Sequence, residues 1–255
     1  MTGIEKGIYN RSELLLGEAF MEYIGQRRVI IFGVGGVGSW CAESLVRSGI
    51  RHLTLVDADR VCITNVNRQC MATTRTIGEV KVEALKERLL DINPKADITA
   101  LQRIYNAESA EEFHLEEYDC AIDAIDSLQE KAHLILHATS LPCAQLLFLS
   151  SMGAALRIDP TRVRMAEFWN IKGDPLARAL RSKFKRTQRF PRRKFQCVFS
   201  EEPPLPNEGD PNPVNHEWGT RKAQINGSLV HITGIFGMML AGAVLRHFRS
   251  VFQRG

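Results

Sequence analysis

The residues best able to do chemistry lie in the first half of the chain. Gly33, Gly35, Gly36 and Gly38, in GVGGVG, follow the apolar run RVIIF and precede a segment with helical spacing. In a strand–turn–helix setting the first glycine permits a sharp turn, the second lets a phosphate approach the backbone, and the last lets the helix pack on the strand. The first N–H groups of that helix, at its positive dipole end, then face the anion. Asp57 ends the next apolar run, HLTLVDAD, where a carboxylate accepts bonds from ribose hydroxyls, and Asp59 is placed with it in the same site. These features identify a nucleotide site and leave NAD, FAD and ATP open.

Counting charges separates these options. A helix terminus largely handles a pyrophosphate alone, whereas a triphosphate carries about four negative charges and needs several cations or a metal. Arg68 stands in the polar stretch TNVNRQ, and Lys81 opens an amphipathic helix, beside its apolar face. Asp126, in IDAIDS, sits at the carboxyl end of a further strand, where open α/β sheets bind ligands and where a carboxylate can hold magnesium. Each residue alone would be an ordinary surface charge. Their shared sheet edge points to ATP with magnesium.

The elements that must position them alternate. A short amphipathic helix is expected over 11–25, then strands near 28–33, 52–59, 97–105, 118–127 and 142–150, with helices near 36–49, 78–94 and 128–139 between them. Strand alternating with helix predicts a Rossmann-like, mostly parallel sheet with helices on both faces. After residue 150 the alternation stops. RVRMAEFWN reads as a strand, and a basic helix follows over 174–186, with Asp174 as N-cap and Pro175 at its first position. The expected α/β fold therefore has a C-terminal extension of antiparallel strands and a basic helix. The stretch 200–218 holds half of the ten prolines and reads as a mobile loop. The whole chain, 1–255, is expected to be a single domain. Residues 1–27 form its N-terminal helical segment, 28–150 its nucleotide-binding core, and 151–255 its substrate-binding and dimerisation part.

Composition excludes other classes. The net charge is a modest +4, and the N-terminus has charges and no long apolar run, which argues against a secretory signal. The apolar segment 225–245 carries Asn226, Ser228, His231 and Thr233, so a buried or dimer-facing helix is expected and no membrane span. The six cysteines form no CxxC pair and suggest a reducing, cytoplasmic setting. Cys197 lies close in sequence to Arg192, Arg193 and Lys194, making it the candidate for a reactive thiol, with a structural cysteine as the plainer reading.

GVGGVG, VDAD, NVNRQ, GEVK and IDAIDS, in this order and spacing, resemble the adenylating domain of the ubiquitin-activating-enzyme superfamily. Its bacterial members include the molybdopterin-synthase and thiamine-pathway adenylyltransferases. SSMGAALRIDPTRV and CVFSEE carry the resemblance further, to the tRNA threonylcarbamoyladenosine dehydratase branch. The resemblance implies that Gly33, Gly35, Gly36 and Gly38 line the phosphate loop and that Asp57 holds the ribose. It implies that Asn65, Arg68 and Lys81 grip the phosphates and that Asp126 binds magnesium. Arg11, in YNRSELL, resembles an arginine that reaches the partner subunit's ATP, which implies a homodimer. A monovalent cation and a sulfur-transfer partner are left open. The implied reaction is a ligase-type, ATP-dependent cyclisation of threonylcarbamoyladenosine in tRNA through an acyl-adenylate.

A tRNA substrate requires a basic surface. RALRSKFKRTQRFPRRK, 178–194, supplies nine basic residues and no acidic one, with Phe184, Phe190 and Pro191 interspersed; an aromatic here is a candidate to stack on an unstacked base, with burial by helix periodicity the alternative for Phe184. Two rivals stay open. One is an adenylyltransferase for a ubiquitin-like sulfur carrier, against which the missing CxxC pairs count. The other is an NAD-dependent oxidoreductase or a nucleotide-sensing binding protein.

Overall fold

The fold is taken from a computed structural model of the chain, which describes residues 3–142, 146–209 and 226–254. Cys143 and residues 210–218 of the proline-rich loop expected at 200–218 lie outside these residues.

The N-terminal segment forms two helices where one was expected. α1 (Gly3–Leu16) and α2 (Glu18–Gly25) break at Gly17, which takes φ 85°. A left-handed backbone ends the first helix there, and only glycine adopts it without strain. β1 (Arg28–Phe32), α3 (Gly38–Arg47), β2 (His52–Val56), α4 (Lys81–Ile92), β3 (Asp97–Leu101), β4 (Cys120–Asp123), α5 (Leu128–Ser140) and β5 (Leu147–Ser151) follow in the alternating order expected. The strands are shorter than the sequence suggested, because their polar ends turn into the loops that carry the site.

The chain then adds β6 (Val163–Glu167), α6 (Pro175–Thr187), β7 (Gln196–Ser200) and α7 (Val230–Phe252). Asp174 caps α6 by accepting the Ala177 N–H at 2.8 Å. The seven strands form one sheet in the order β3-β2-β1-β4-β5-β7-β6. All neighbours run parallel except β6 against β7, which are antiparallel. Strand alternation divides the core between the two faces. Val29, Ile31, Leu53, Leu55 and Ile122 pack with α3, α4 and α7. Ile30, Phe32, Ala121 and Phe148 pack with α5 and α6.

α7 is long and apolar enough, by length and composition, to cross a membrane. In this fold one of its faces packs into the core: Ile232, Phe236, Leu240, Val244 and Phe248 are buried. A Cβ at Gly237 would lie 2.5 Å from the Val37 carbonyl oxygen, so glycine is what lets α7 cross close to α3.

Candidate active site

The strand order reverses between β1 and β4, and the loops leaving these two strands meet at that switch point. Gly33 leaves β1 with φ 85°, and a Cβ there would lie 2.7 Å from the Ala124 carbonyl oxygen. The loop after β4 thus presses directly on the glycine turn. A Cβ at Gly38 would lie 1.9 Å from the Gly33 carbonyl oxygen, which no rearrangement of side chains could relieve. Gly36 abuts Thr233 and the stem of Arg68. Gly35 has only the Gln69 carboxamide nearby, at 3.8 Å, so a phosphate can approach the backbone there. No side chain caps α3, leaving its N-terminal end to an anion.

Asp57 holds this loop in shape. One carboxylate oxygen accepts the Val34 N–H at 2.9 Å, and the other accepts the Asp59 N–H at 2.9 Å. The lone pairs that remain suit hydroxyl donors. Asn65 accepts the Cys62 N–H at 3.0 Å and so closes the turn before Arg68. Arg68 donates to the Thr64 carbonyl at 2.7 Å and to Asn67 at 2.9 Å. Burial pulls the Arg68 guanidinium below its ordinary value, partly offset by the Asp126 carboxylate and by Cys62. Asp126 itself is exposed in the loop beyond β4.

Lys81 opens α4 as expected; it is buried, and its ammonium meets Asp59 at 2.8 Å. The ion pair explains the burial, and Asp59 thereby holds the lysine at the site.

Cys62 was not anticipated. Burial alone would raise its thiol; hydrogen bonds from Thr64 and from the Thr64 and Ile63 N–H groups, with Lys81 nearby, bring it below its ordinary value. Cys197 is the opposite case: it matches the plainer sequence reading, a structural cysteine, and not the reactive thiol. It faces inward on β7, and burial pushes its thiol well above the usual range. Arg192, Arg193 and Lys194 are close in sequence but not around its sulfur. Gln69 was also missed: its side-chain oxygen is buried without a hydrogen-bond partner, an orphaned polar group beside Gly35.

Beneath the Asp126 loop lies a buried ion pair that no motif announced. Lys131 on α5 and Asp123 at the end of β4 are both fully buried, 2.8 Å apart. Asp123 also accepts the Ser150 hydroxyl at 2.7 Å and the Ile125 N–H at 3.1 Å, and Lys131 donates to the Ile125 carbonyl at 3.0 Å. Both polar groups of Ile125 are thus fixed next to Asp126. A cavity of about 510 Å³, lined by Leu156, Leu205 and Leu229, lies beside this centre rather than on it. Its rim at Ser228 accepts a hydrogen bond from Asn67, the neighbour of Arg68.

The donor set suits magnesium that arrives with a nucleotide. Such an ion uses one or two carboxylates together with substrate phosphates, and Asp126 offers one. Among the described residues no group of three or more His, Cys, Asp or Glu could hold a metal by itself.

Arg11 is not brought to this site within the chain. Tyr9, on the same helix, donates to the Val46 carbonyl at 2.8 Å, at the C-terminal end of α3, while the glycine loop is at the other end. Eight residues of helix separate those ends by about 12 Å.

The chain is 36% identical over 243 residues to the tRNA threonylcarbamoyladenosine dehydratase of Bacillus subtilis, covering 93% of this chain and 92% of that protein. It superposes on the E. coli tRNA N6-threonylcarbamoyladenosine dehydratase crystallised with AMP, with TM-score 0.87 and 28% identity, covering 100% of this chain and 98% of the other. The same E. coli enzyme crystallised with ATP gives TM-score 0.86 and 28% identity, covering 99% and 98%. The family model that describes such chains matches residues 9–250, which takes in the glycine loop, Arg68, Lys81 and Asp126 alike: this chain belongs to the ThiF family.

Proposed function

We propose that the chain catalyses the ATP-dependent dehydration of threonylcarbamoyladenosine in tRNA. The observations that support this reading are an Arg68 stem that abuts Gly36 and a guanidinium that feels the Asp126 carboxylate, with Asp57 and the Asp59–Lys81 pair bordering the same glycine loop, in a chain similar over most of its length to dehydratases of that name. The substrate's threonyl carboxylate attacks the α-phosphorus of ATP. The bond to the bridging oxygen breaks, and pyrophosphate leaves. A nitrogen or oxygen of the same modification then attacks the acyl carbon, a ring closes and AMP departs. The net change is loss of one water from the nucleoside. Because the nucleophile is already tethered, positioning supplies much of the rate and no protein thioester is needed.

Each group has a defined task. The N–H groups of the Gly33–Gly38 loop and the end of α3 hold phosphate oxygens. Asp57 accepts the ribose hydroxyls. Asn65 fixes the turn that presents Arg68. Lys81 leaves Asp59 for the phosphates, where it and Arg68 stabilise charge on the α-phosphate and the departing pyrophosphate. Magnesium bound at Asp126 would neutralise further phosphate charge.

Arg11 completes the site of a partner copy, so the active form is a homodimer of single-domain chains. Ile4, Ile8, Arg11 and Leu15 recur at helical spacing on one face of α1, and the three apolar members are exposed. That face suits a second copy. The test is mass spectrometry of tRNA nucleosides after incubation with ATP and the protein. One water should be lost from threonylcarbamoyladenosine for each AMP and pyrophosphate formed. ATP–pyrophosphate exchange that needs a ubiquitin-like carrier protein and ignores tRNA would select the rival adenylyltransferase instead.

A further inference from the structure

We propose that Trp169 and Phe190 form a stacking site for an unpaired base of RNA, bordered by the cations of α6; the proposal rests on the reading of tRNA as substrate. Trp169 lies in the short turn Phe168–Asn170 after β6, where its backbone N–H donates to the Glu167 carboxylate at 3.0 Å. Phe190 follows α6, beyond Gln188 in the left-handed region. The two rings stand 6.3 Å apart at 40°. Both are exposed, Trp169 by 39% and Phe190 by 45%.

The rings behind them are the reverse. Phe168 is fully buried, stacks on Phe195 at 5.1 Å and meets Phe184 edge-on at 5.9 Å. Trp169 in turn packs edge-on against Phe168 at 5.1 Å. Phe184, a candidate stacking residue in the sequence, is therefore part of the core that anchors the exposed pair. Two large rings left partly exposed on an aromatic base are an unspent binding surface.

Charge selects the occupant. Arg178, Lys185, Arg186, Arg189, Arg192 and Lys194 are exposed, and no acidic residue occurs from Pro175 to Ser200. Two of the nine basic residues have structural tasks instead: Arg181 donates to the Phe168 carbonyl, and Arg193 to the Ala138 and Thr139 carbonyls at the end of α5. Cations that follow a backbone, next to aromatic faces that receive bases, are the means by which proteins hold single-stranded nucleic acid. A duplex keeps its bases stacked and offers these rings nothing, so a loop is the segment that fits.

The test measures affinity for a hairpin RNA with an unpaired loop and for a fully paired RNA of equal charge, at several salt concentrations. Thermal melting and ATP affinity verify that each variant is folded. Trp169→Ala with Phe190→Ala should weaken hairpin binding about 5- to 150-fold, the range of stacking one base, and leave duplex binding and the salt slope unchanged. Trp169→Phe should retain most of the hairpin affinity. Lys183→Ala, Lys185→Ala and Arg186→Ala together should weaken both RNAs and flatten the salt slope. Hairpin binding unchanged in the aromatic variant, or hairpin and duplex weakened alike, overturns the stacking site. Wild-type protein that binds neither RNA overturns the RNA reading itself and points to a protein occupant.

Discussion

Replacing Lys131 with methionine tests how the fold supports the catalytic loop. Methionine keeps most of the length and apolar stem of lysine but removes the ammonium. Asp123 would then remain fully buried, with hydrogen bonds from Ser150 and Ile125 and no cation. Breaking a buried pair from one side costs about 3–5 kcal/mol, because a buried charge is left uncompensated. Against a total stability of roughly 5–15 kcal/mol this is a large fraction. For a chain of this size it corresponds to a fall in Tm of roughly 6–20 °C. Urea unfolding followed by circular dichroism would measure it. Adding Asp123→Asn should restore most of the lost stability, since the charge is gone while the Ser150 and Ile125 contacts can persist. Catalysis should stay low in both variants, because the Ile125 carbonyl has lost the ammonium that holds the Asp126 loop. The reasoning fails if Lys131→Met lies within about 0.5 kcal/mol of wild type, the range of an ordinary surface change. It fails equally if the double variant is no more stable than the single one.

Three further outcomes are expected. Asp126→Ala should lower turnover by on the order of hundreds-fold, as for other charge-stabilising groups, with Tm unchanged; a folded variant turning over at the wild-type rate removes Asp126 from the site. Mixing Arg11→Ala chains with Lys81→Ala chains should restore up to roughly a quarter of wild-type activity, since half of randomly mixed dimers are mixed and each has one intact composite site. No recovery despite proven subunit exchange would place Arg11 outside the partner's site. Acid should remove a contribution from Glu43: burial raises its carboxyl, but hydrogen bonds from Arg88 and Arg47 outweigh this and set it below the usual glutamate value. A depressed folded-state value stabilises above the unfolded value and is lost as pH falls through the folded one. Wild type should therefore lose more stability than Glu43→Gln on acidification below about pH 4.3, the value of an unperturbed glutamate, and identical pH profiles for the two would refute the assignment.

The parts of the molecule legible in the sequence were those fixed by local chemistry. Gly33 and Gly38 announced the turn and the helix contact because no other residue tolerates either. Asp174 and Pro175 marked the start of α6 for equally local reasons. What was not legible depends on contacts between distant segments. Nothing near β7 states that it inserts between β5 and β6, because strand order is settled by packing across the whole sheet. Cys197 stands close in sequence to three cations, yet β7 is covered on both faces of the sheet and buries it. Lys131 reads as an ordinary helical lysine until α5 folds back beneath β4 and brings it to Asp123. Trp169 and Phe190 are separated by the whole of α6, so neither alone suggested a paired surface. The break at Gly17 was missed because the apolar spacing continues across it, and only the left-handed backbone interrupts the helix.

The central claim is that the substrate carboxylate attacks the α-phosphate of ATP. It is tested most directly with tRNA whose threonylcarbamoyl carboxylate carries heavy oxygen. If an acyl-adenylate forms, one labelled oxygen becomes part of the phosphate of AMP when the ring closes, and the pyrophosphate remains unlabelled. Mass spectrometry of both products reads the outcome. Labelled inorganic phosphate together with ADP would mean attack at the γ-phosphate, and would contradict a site in which Arg68, Lys81 and Asp126 serve transfer at the α-phosphate.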